Sequence, residues 1–257
     1  MFLADRRRIV GPPTATPLEY EAAPALQSTK PAADGALALY LRPGLIPTAS
    51  GSAYIETADY KVLVTVFGPR PIRSSFSPVA KLSVKTKIFL SQQAQQRSGQ
   101  NDAERVFSDY VQTSLQPSLQ LENYPKSAID VYVTVLSGTP AEGLATKNLL
   151  AGCVTAASFA TVDAGIEVFD IVTACAVVFT ADAGGVRDVV YGDRARGDAS
   201  GTAVVSYMAS RDEVSGFAID NAAGLSPGAV ADVLTRASEG AADVRRLGNA
   251  ILLESLE

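Results

Sequence analysis

Basic side chains in one short stretch form the clearest chemical pattern in the sequence. Three lysines and Ser83 alternate there with Leu82, Val84, Thr86 and Ile88, which predicts a strand over residues 79–89 with one buried and one basic face. Such a face can neutralise the phosphates of single-stranded RNA without reading its bases. The candidate RNA-binding residues of this stretch are Arg70, Arg73, Lys81, Lys85 and Lys87.

Two structural explanations compete with RNA binding for these residues. The lysines could form a solvated outer sheet face, or they could protect an edge strand from aggregation. The residues alone favour a structural explanation. Lys126, in a turn before a predicted strand, is a sixth candidate RNA contact. Arg6–Arg8 could form a nucleic-acid-binding arm or pair with acidic groups on a neighbouring subunit.

The absence of histidine and the presence of only two cysteines exclude several catalytic and metal sites. The chain can build no Ser-His-Asp or Cys-His pair, no zinc site with His ligands and no Cys₄ site. Cys153 and Cys175 lie in apolar segments and are predicted to be core residues. Two cysteines make no disulfide framework, so we expect an intracellular protein.

The glycine-rich and acidic segments of the sequence do not match a cofactor-binding or metal-binding motif, and we therefore expect no cofactor. No Walker or dinucleotide-binding glycine motif occurs, and Gly184-Gly185 fits a hairpin turn. Carboxylates that recur every five or six residues could hold Mg²⁺, but aspartate is also common in turns, which is the better explanation. These residues are Asp182, Asp188, Asp193 and Asp198.

The charge balance limits how the chain could bind nucleic acid. It has 22 Lys and Arg residues against 27 Asp and Glu residues, a net charge of −5, so any contact must be a local patch. The longest uncharged run, Asn148–Val162, is shorter than the roughly 20 apolar residues of a membrane span. The segment Met1–Arg8 is too charged for a signal peptide, and we therefore expect a soluble protein with no membrane partner.

The predicted order of helices and strands indicates an α+β domain with layered sheets and helices. Residues 1–35 are predicted to be a proline-rich arm and residues 36–257 a single domain. Helices are predicted at 101–116, capped by Asn101 or Asp102, at 147–162, and from Pro227, with Ser226 as N-cap. Residues 91–100 are predicted to be a loop. Strands are predicted at 52–56, 60–67 (ended by Gly68-Pro69), 79–89, 129–136, 167–172, 175–180, 186–191, 202–208 and 213–219.

Four motifs, in order along the chain, resemble the RNase PH-type subunits of the eukaryotic RNA exosome. They are Asp5–Pro12, Val66–Arg73, Tyr124–Asp130 and Asp163–Asp170. The resemblance spans nearly the whole chain and implies an RNase PH-like, S5-domain-2-like fold with a C-terminal helix.

The resemblance also locates the sites that active members of this family use. A Gly-Gly-Thr-Arg-like turn that holds phosphate corresponds to Glu142–Lys147, where the arginine is missing and the glycine pair is broken. The acidic pair falls near Arg196 and Thr202, and the nearby Asp193 and Asp198 do not clearly replace it. The resemblance therefore implies a non-catalytic subunit.

The resemblance further implies a set of partners and locations. They are other RNase PH-like ring subunits, S1/KH cap subunits, a separate hydrolytic RNase II-type nuclease and RNA, in the nucleus, nucleolus and cytoplasm. The function implied is support of 3′-5′ RNA processing and degradation, including rRNA processing and mRNA decay. One alternative is an active phosphorolytic 3′-5′ exoribonuclease, in which Lys147 binds phosphate and Asp193 or Asp198 is the general acid; another is an unrelated α+β binding module.

Overall fold

The structure is a computed structural model that describes residues 39–73, 76–89, 97–138, 144–182, 185–191, 201–220 and 227–256. The predicted arm over residues 1–35 lies outside the described residues, so it stays a prediction. The same is true of Arg6–Arg8, Gly184 and Ser226, and of Asp193, Arg196 and Asp198.

A five-stranded sheet comes first along the chain. Its strands lie side by side in the order β1-β2-β3-β5-β4. Strand β4 runs parallel to β5, whereas the other neighbours are antiparallel. The strands are β1 (Tyr40–Pro43), β2 (Gly51–Glu56), β3 (Lys61–Pro71), β4 (Lys81–Ile88) and β5 (Ser127–Ser137).

A four-stranded antiparallel sheet follows, in the order β7-β6-β8-β9. Strand β6 is at its centre and is buried on both faces over residues 172–179. The strands are β6 (Val172–Asp182), β7 (Gly185–Tyr191), β8 (Gly201–Met208) and β9 (Glu213–Asp220).

Three helices complete the layers, namely α1 (Arg97–Leu115), α2 (Leu144–Asp163) and α3 (Pro227–Leu256). Helix α2 contacts β2 and β3 on one side and β6 and β8 on the other, with α1 beside it. Helix α3 packs on the outer side of the second sheet. Gly248 allows its close approach, because a Cβ there would lie 2.1 Å from the Phe159 ring of α2. The α+β, layered organisation predicted from the sequence is thus confirmed.

Helix α2 is buried almost all round, and its polar residues bond to the backbone of β6. The hydroxyls of Ser158 and Thr155 accept the N–H groups of Val172 (2.9 Å) and Ala174 (3.1 Å). These donors lie beyond the end of β7, which pairs with β6 only from Val177. The predicted apolar residues of the helix are also buried, namely Leu149, Leu150, Cys153, Ala156, Ala157 and Ala160.

The start of the first predicted helix and one predicted strand are wrong. Helix α1 begins at Arg97, so Asn101 and Asp102 are not its N-caps and part of the predicted loop is helical. Its first four residues contain no apolar side chain, which is why periodicity missed them. The predicted strand 167–172 is also wrong, since Val168 makes only an isolated bridge to Leu119. The Asp170 carboxylate accepts the Ile171 N–H (2.8 Å), a local bond that competes with a strand ladder.

The prediction that Gly68-Pro69 ends the second strand is wrong as well. Strand β3 continues to Pro71, with a one-residue bulge where Phe67 faces Asp130 and Arg70 faces Ala128. Gly68 has φ +142°, a backbone conformation that residues other than glycine rarely adopt. The bulge turns Arg70 to the outer face of the sheet, next to Asp130.

A buried ion pair joins the last helix to the chain between α2 and β6. Arg245 donates to both carboxylate oxygens of Asp170, at 2.9 and 2.6 Å, and also to Ser210 Oγ. Burial alone would raise the pKa of the Asp170 carboxyl. Hydrogen bonds from Arg245 and from the backbone of Ser210 and Ile171 outweigh burial and hold this pKa below its usual range.

We expect Arg245→Met to lower the free energy of unfolding by about 3 kcal/mol, because it leaves the Asp170 carboxylate buried without its counter-charge. Urea unfolding would measure the loss. Arg246→Met is the matched control, since its pair with Asp243 is solvent-exposed and should contribute less than about 1 kcal/mol.

The same pair predicts the pH dependence of this loss. A carboxyl whose pKa is lowered by folding stabilises the protein above its unfolded pKa of about 3.9, and that contribution is lost as the pH falls further. The difference between wild type and Arg245→Met should therefore shrink below about pH 4. A constant difference between pH 7 and pH 3 would contradict the proposed role of the pair.

Candidate functional site

The basic residues of the first sheet lie on its outer face, opposite the helices. Lys81, Lys85 and Lys87 point outward from β4, while Leu82, Val84, Thr86 and Ile88 are buried, as the alternation predicted. Arg70 and Lys81 face the same residue, Ala128 of β5, from its two sides. Their backbones are therefore about 10 Å apart.

Lys126 joins this group through the backbone. It lies in the exposed turn before β5, where its N–H donates to the Ser77 carbonyl (2.9 Å) and its carbonyl accepts the Ile72 N–H (3.0 Å). Arg73 is exposed two residues after the end of β3. Arg70, Arg73, Lys81 and Lys126 thus lie near the same end of the sheet, and Lys85 and Lys87 continue along β4.

Some of these cations are already paired, and others are not. Arg70 forms an ion pair with Asp130, and Lys87 with Glu104 (3.0 Å). The Lys85 ammonium lies 5.7 Å from the ring centroid of Tyr132. Among the residues that the structure describes, no carboxylate lies within 4 Å of Arg73, Lys81, Lys85 or Lys126.

The open edge of β4 is partly covered, which tests the alternative explanation that its lysines only prevent aggregation. Strand β4 is the last strand of its sheet, so one side of its backbone has no strand neighbour. Helix α1 covers part of that side, because Ser108 Oγ accepts the Thr86 N–H (2.9 Å) and Glu104 accepts the Ile88 N–H (3.1 Å). Helix α1 thus already protects part of this edge from pairing with another strand, and the lysines are less necessary for that purpose than the sequence suggested.

The sequence resemblance places Lys147 where active members of the family are expected to have a phosphate-binding arginine, and the structure shows this lysine engaged within the fold. Its side chain is 10% exposed in the first turn of α2, and its ammonium lies 3.1 Å from the Asp220 carboxylate of β9. Thr202, at one expected acidic position, is buried on β8 and faces Asp220 across the ladder. Glu142 and Gly143 lie outside the described residues.

Neither cysteine is suited to nucleophilic chemistry. Burial raises the pKa of the Cys153 thiol, and it raises that of Cys175 to about 12. Both are buried in the hydrophobic cores, as predicted. In the described part of the chain, no group of three or more His, Cys, Asp or Glu residues could hold a metal ion. Within the same residues, no helix is long and apolar enough to cross a membrane.

Sequence reasoning missed four aromatic residues on the outer face of the first sheet. Tyr40 and Tyr54 form one edge-to-face pair, with ring centroids 6.3 Å apart, and Phe67 and Tyr132 form another at 5.8 Å. Alternation along each strand could have assigned these residues to the outer face. Only the strand order brings them together.

Sequence comparison decides the family. Residues 38–167, about half of the chain, match the sequence profile of the 3′ exoribonuclease family, domain 1, also called RNase PH. The chain belongs to the RNase PH family. Its relatives include exosome complex component mtr3 of Schizosaccharomyces pombe, 34% identical over 82% of both chains, and MTR3 of Chaetomium thermophilum, 29% identical over 99% of this chain and 98% of that one. The resemblance to exosome subunits of RNase PH type is thus confirmed.

Solved structures share the fold of this chain. Rice Rrp46 superposes with a TM-score of 0.62 at 20% identity, over 83% of this chain and 92% of that chain. A chain of the Archaeoglobus fulgidus exosome with RNA bound to the active site gives 0.60 at 16% identity, over 81% and 87%. The RNase PH-like fold is therefore confirmed.

Lys126 allows a test of whether the basic end of the sheet is functional. Its φ of +55° lies in the left-handed region, which costs a non-glycine residue about 1 kcal/mol. We expect Lys126→Gly to leave the protein equally stable or up to about 1 kcal/mol more stable, and to weaken its binding to single-stranded RNA. Urea unfolding and fluorescence anisotropy would measure the two effects.

Lys126→Asn separates charge from strain, because asparagine tolerates this conformation but has no charge. It should weaken RNA binding as much as Lys126→Gly does. If both variants bind RNA as well as wild type, Lys126 is not an RNA contact.

Proposed function

We propose that this RNase PH-family chain is a non-catalytic structural subunit of the RNA exosome ring. The observation that carries the proposal is its 34% identity to an exosome complex component, mtr3, over 82% of both chains. In that role it supports 3′-5′ RNA processing and degradation, including rRNA processing and mRNA decay, that a separate nuclease carries out.

The proposed partners follow from the same role. A subunit within a ring has two different neighbours, so its two interfaces differ. The neighbours are other RNase PH-like ring subunits, with S1/KH cap subunits on one face and, indirectly, an RNase II-type nuclease. RNA passes through the assembly, and the locations are the nucleus, nucleolus and cytoplasm.

The geometry around Lys147 supports the absence of phosphorolysis. A phosphate ion bound there would have to compete with the Asp220 carboxylate, which already neutralises the ammonium at 3.1 Å. Thr202 has a hydroxyl in place of a carboxyl and is buried. The alternative of an active phosphorolytic enzyme uses Lys147 as its phosphate ligand, and this pairing disfavours it.

We expect the purified chain to release no nucleoside diphosphates from the 3′ end of a labelled RNA in the presence of inorganic phosphate. Thin-layer chromatography of the products would check this, with an active archaeal exosome as positive control. The variant Lys147→Met should give the same result as wild type. Diphosphate release that depends on phosphate and disappears in Lys147→Met would establish the alternative.

We further propose that the basic end of the first sheet contacts RNA in the assembled ring. Lys81→Glu combined with Lys85→Glu should weaken RNA binding and reduce the salt dependence of log K by about 0.7 for each lost phosphate contact. Fluorescence anisotropy at several salt concentrations would measure both quantities.

The control for this experiment is a variant that changes the net charge by the same amount on a different surface of the protein. Arg236→Glu combined with Arg246→Glu places the two reversals on exposed positions of α3, on the outer side of the second sheet. This variant should keep the wild-type salt slope. Equal slopes for all three proteins would refute the proposed contact.

A further inference from the structure

The outer face of the first sheet is not covered by any element in the described part of the chain. Helices α1 and α2 pack on the opposite face, and α3 meets the sheet mainly at β1. The strand register places Thr65, Tyr132 and Lys85 side by side across β3, β5 and β4. The next row contains Phe67, Asp130 and Ser83. An aromatic pair on β3 and β5 thus lies beside a lysine of the edge strand β4.

The aromatic rings are held in place and are partly accessible. Phe67 and Tyr132 meet edge to face, with their planes inclined at 75°, so each ring orients the other. Both keep part of their surface exposed, although they lie in the sheet and not at its rim. A rigid, partly exposed ring loses little entropy when a flat ligand stacks on it.

The charge of this face is opposite to that of the whole chain. Among the described residues, six cations point outward from the five strands, namely Arg42, Lys61, Arg70, Lys81, Lys85 and Lys87. Two carboxylates of the strands, Glu56 and Asp130, accompany them, and Glu104 of α1 pairs with Lys87, so the face carries 6 − 3 = +3 against a net charge of −5 for the chain. This excess of positive charge is complementary to a polyanion.

The combination of residues favours RNA over a protein surface. The buried centre of a protein interface is depleted of lysine, whereas β4 has three outward lysines, of which Lys85 lies beside the aromatic pair. Proteins that bind single-stranded nucleic acid combine basic side chains, which follow the backbone, with aromatic rings, on which bases stack. Duplex RNA offers no free base faces, so the expected ligand is single-stranded.

We propose that the outer face of the first sheet is a base-stacking site for single-stranded RNA, centred on Tyr132 and Phe67. Lys85, now 5.7 Å from the Tyr132 ring, moves to a phosphate when a base takes its place. Lys81, four residues and about 13 Å away along the strand, reaches another phosphate. Stacking on these rings is tolerant of base identity. The site rests on the proposed RNA contact and extends it from phosphates to bases.

The test compares two probes with equal charge. One is a labelled single-stranded oligoadenylate, and the other is an abasic RNA with the same number of phosphates. The full-length chain should bind oligoadenylate more tightly than the abasic RNA in fluorescence anisotropy at low salt. Tyr132→Leu should weaken binding of oligoadenylate about tenfold and leave binding of the abasic RNA unchanged. Tyr132→Phe should retain wild-type affinity for both.

A matched control is available elsewhere on the chain. Phe169 is an exposed aromatic residue with a cation next to its ring, Arg211 at 5.2 Å, but it lies outside the first sheet. Phe169→Leu should leave both affinities unchanged. Thermal unfolding of each variant separates a lost stacking contact from a damaged fold.

The outcomes distinguish this site from the proposed function. If Lys81→Glu with Lys85→Glu lowers the salt slope but Tyr132→Leu affects neither probe, phosphates are contacted without stacking, and only the stacking site is overturned. If neither the double lysine variant nor Tyr132→Leu changes the binding of either RNA probe, the proposed RNA contact of the basic end and the stacking site are both overturned. If Tyr132→Leu leaves RNA binding unchanged and prevents co-elution with other ring subunits, the face is a protein interface and the stacking site is overturned.

Discussion

The burial of helix α2 between two sheets is the constraint on which the rest of the structure depends. A helix with sheets on both sides can present no charged face to solvent, and Asn148–Val162 contains no charged residue. Small side chains let the sheets approach closely. Hydroxyls at Thr155 and Ser158 satisfy backbone donors of β6 that have no strand partner. The Asp163 carboxylate accepts the Ser52 N–H (2.8 Å) and anchors β2 in the same way.

This arrangement separates the residues that stabilise the fold from those that are free to bind. The inward face of β4 and β5 packs on the helices and consists of apolar side chains together with Thr86 and Ser127. The outward side chains of the same strands take no part in that core. Packing therefore does not explain why lysines, a tyrosine and an aspartate occupy the outward positions of these two strands. A binding function is a better explanation for these outward residues than for the core residues.

Periodic patterns in the sequence predicted most of the elements, because alternation and helical spacing are local. The strand over Lys81–Ile88 and the buried face of α2 were both predicted correctly. Contacts between residues far apart in the chain left no such pattern. Lys147 with Asp220 and Asp170 with Arg245 are separated by more than seventy residues each, and neither pair could be assigned from spacing. The aromatic residues of the outer face required the register of β3 and β5 in the same way.

The pairing of cations on the first sheet explains how an acidic chain can keep a basic face. Lys85 and Lys87 of β4, two positions apart on the same face, are about 7 Å apart and repel one another. Glu104 next to Lys87 and Asp130 next to Arg70 reduce that repulsion at two positions. Lys85 is stabilised by the Tyr132 ring, which attracts the ammonium without neutralising its charge. The face therefore stays folded without a ligand and still presents net positive charge to a polyanion.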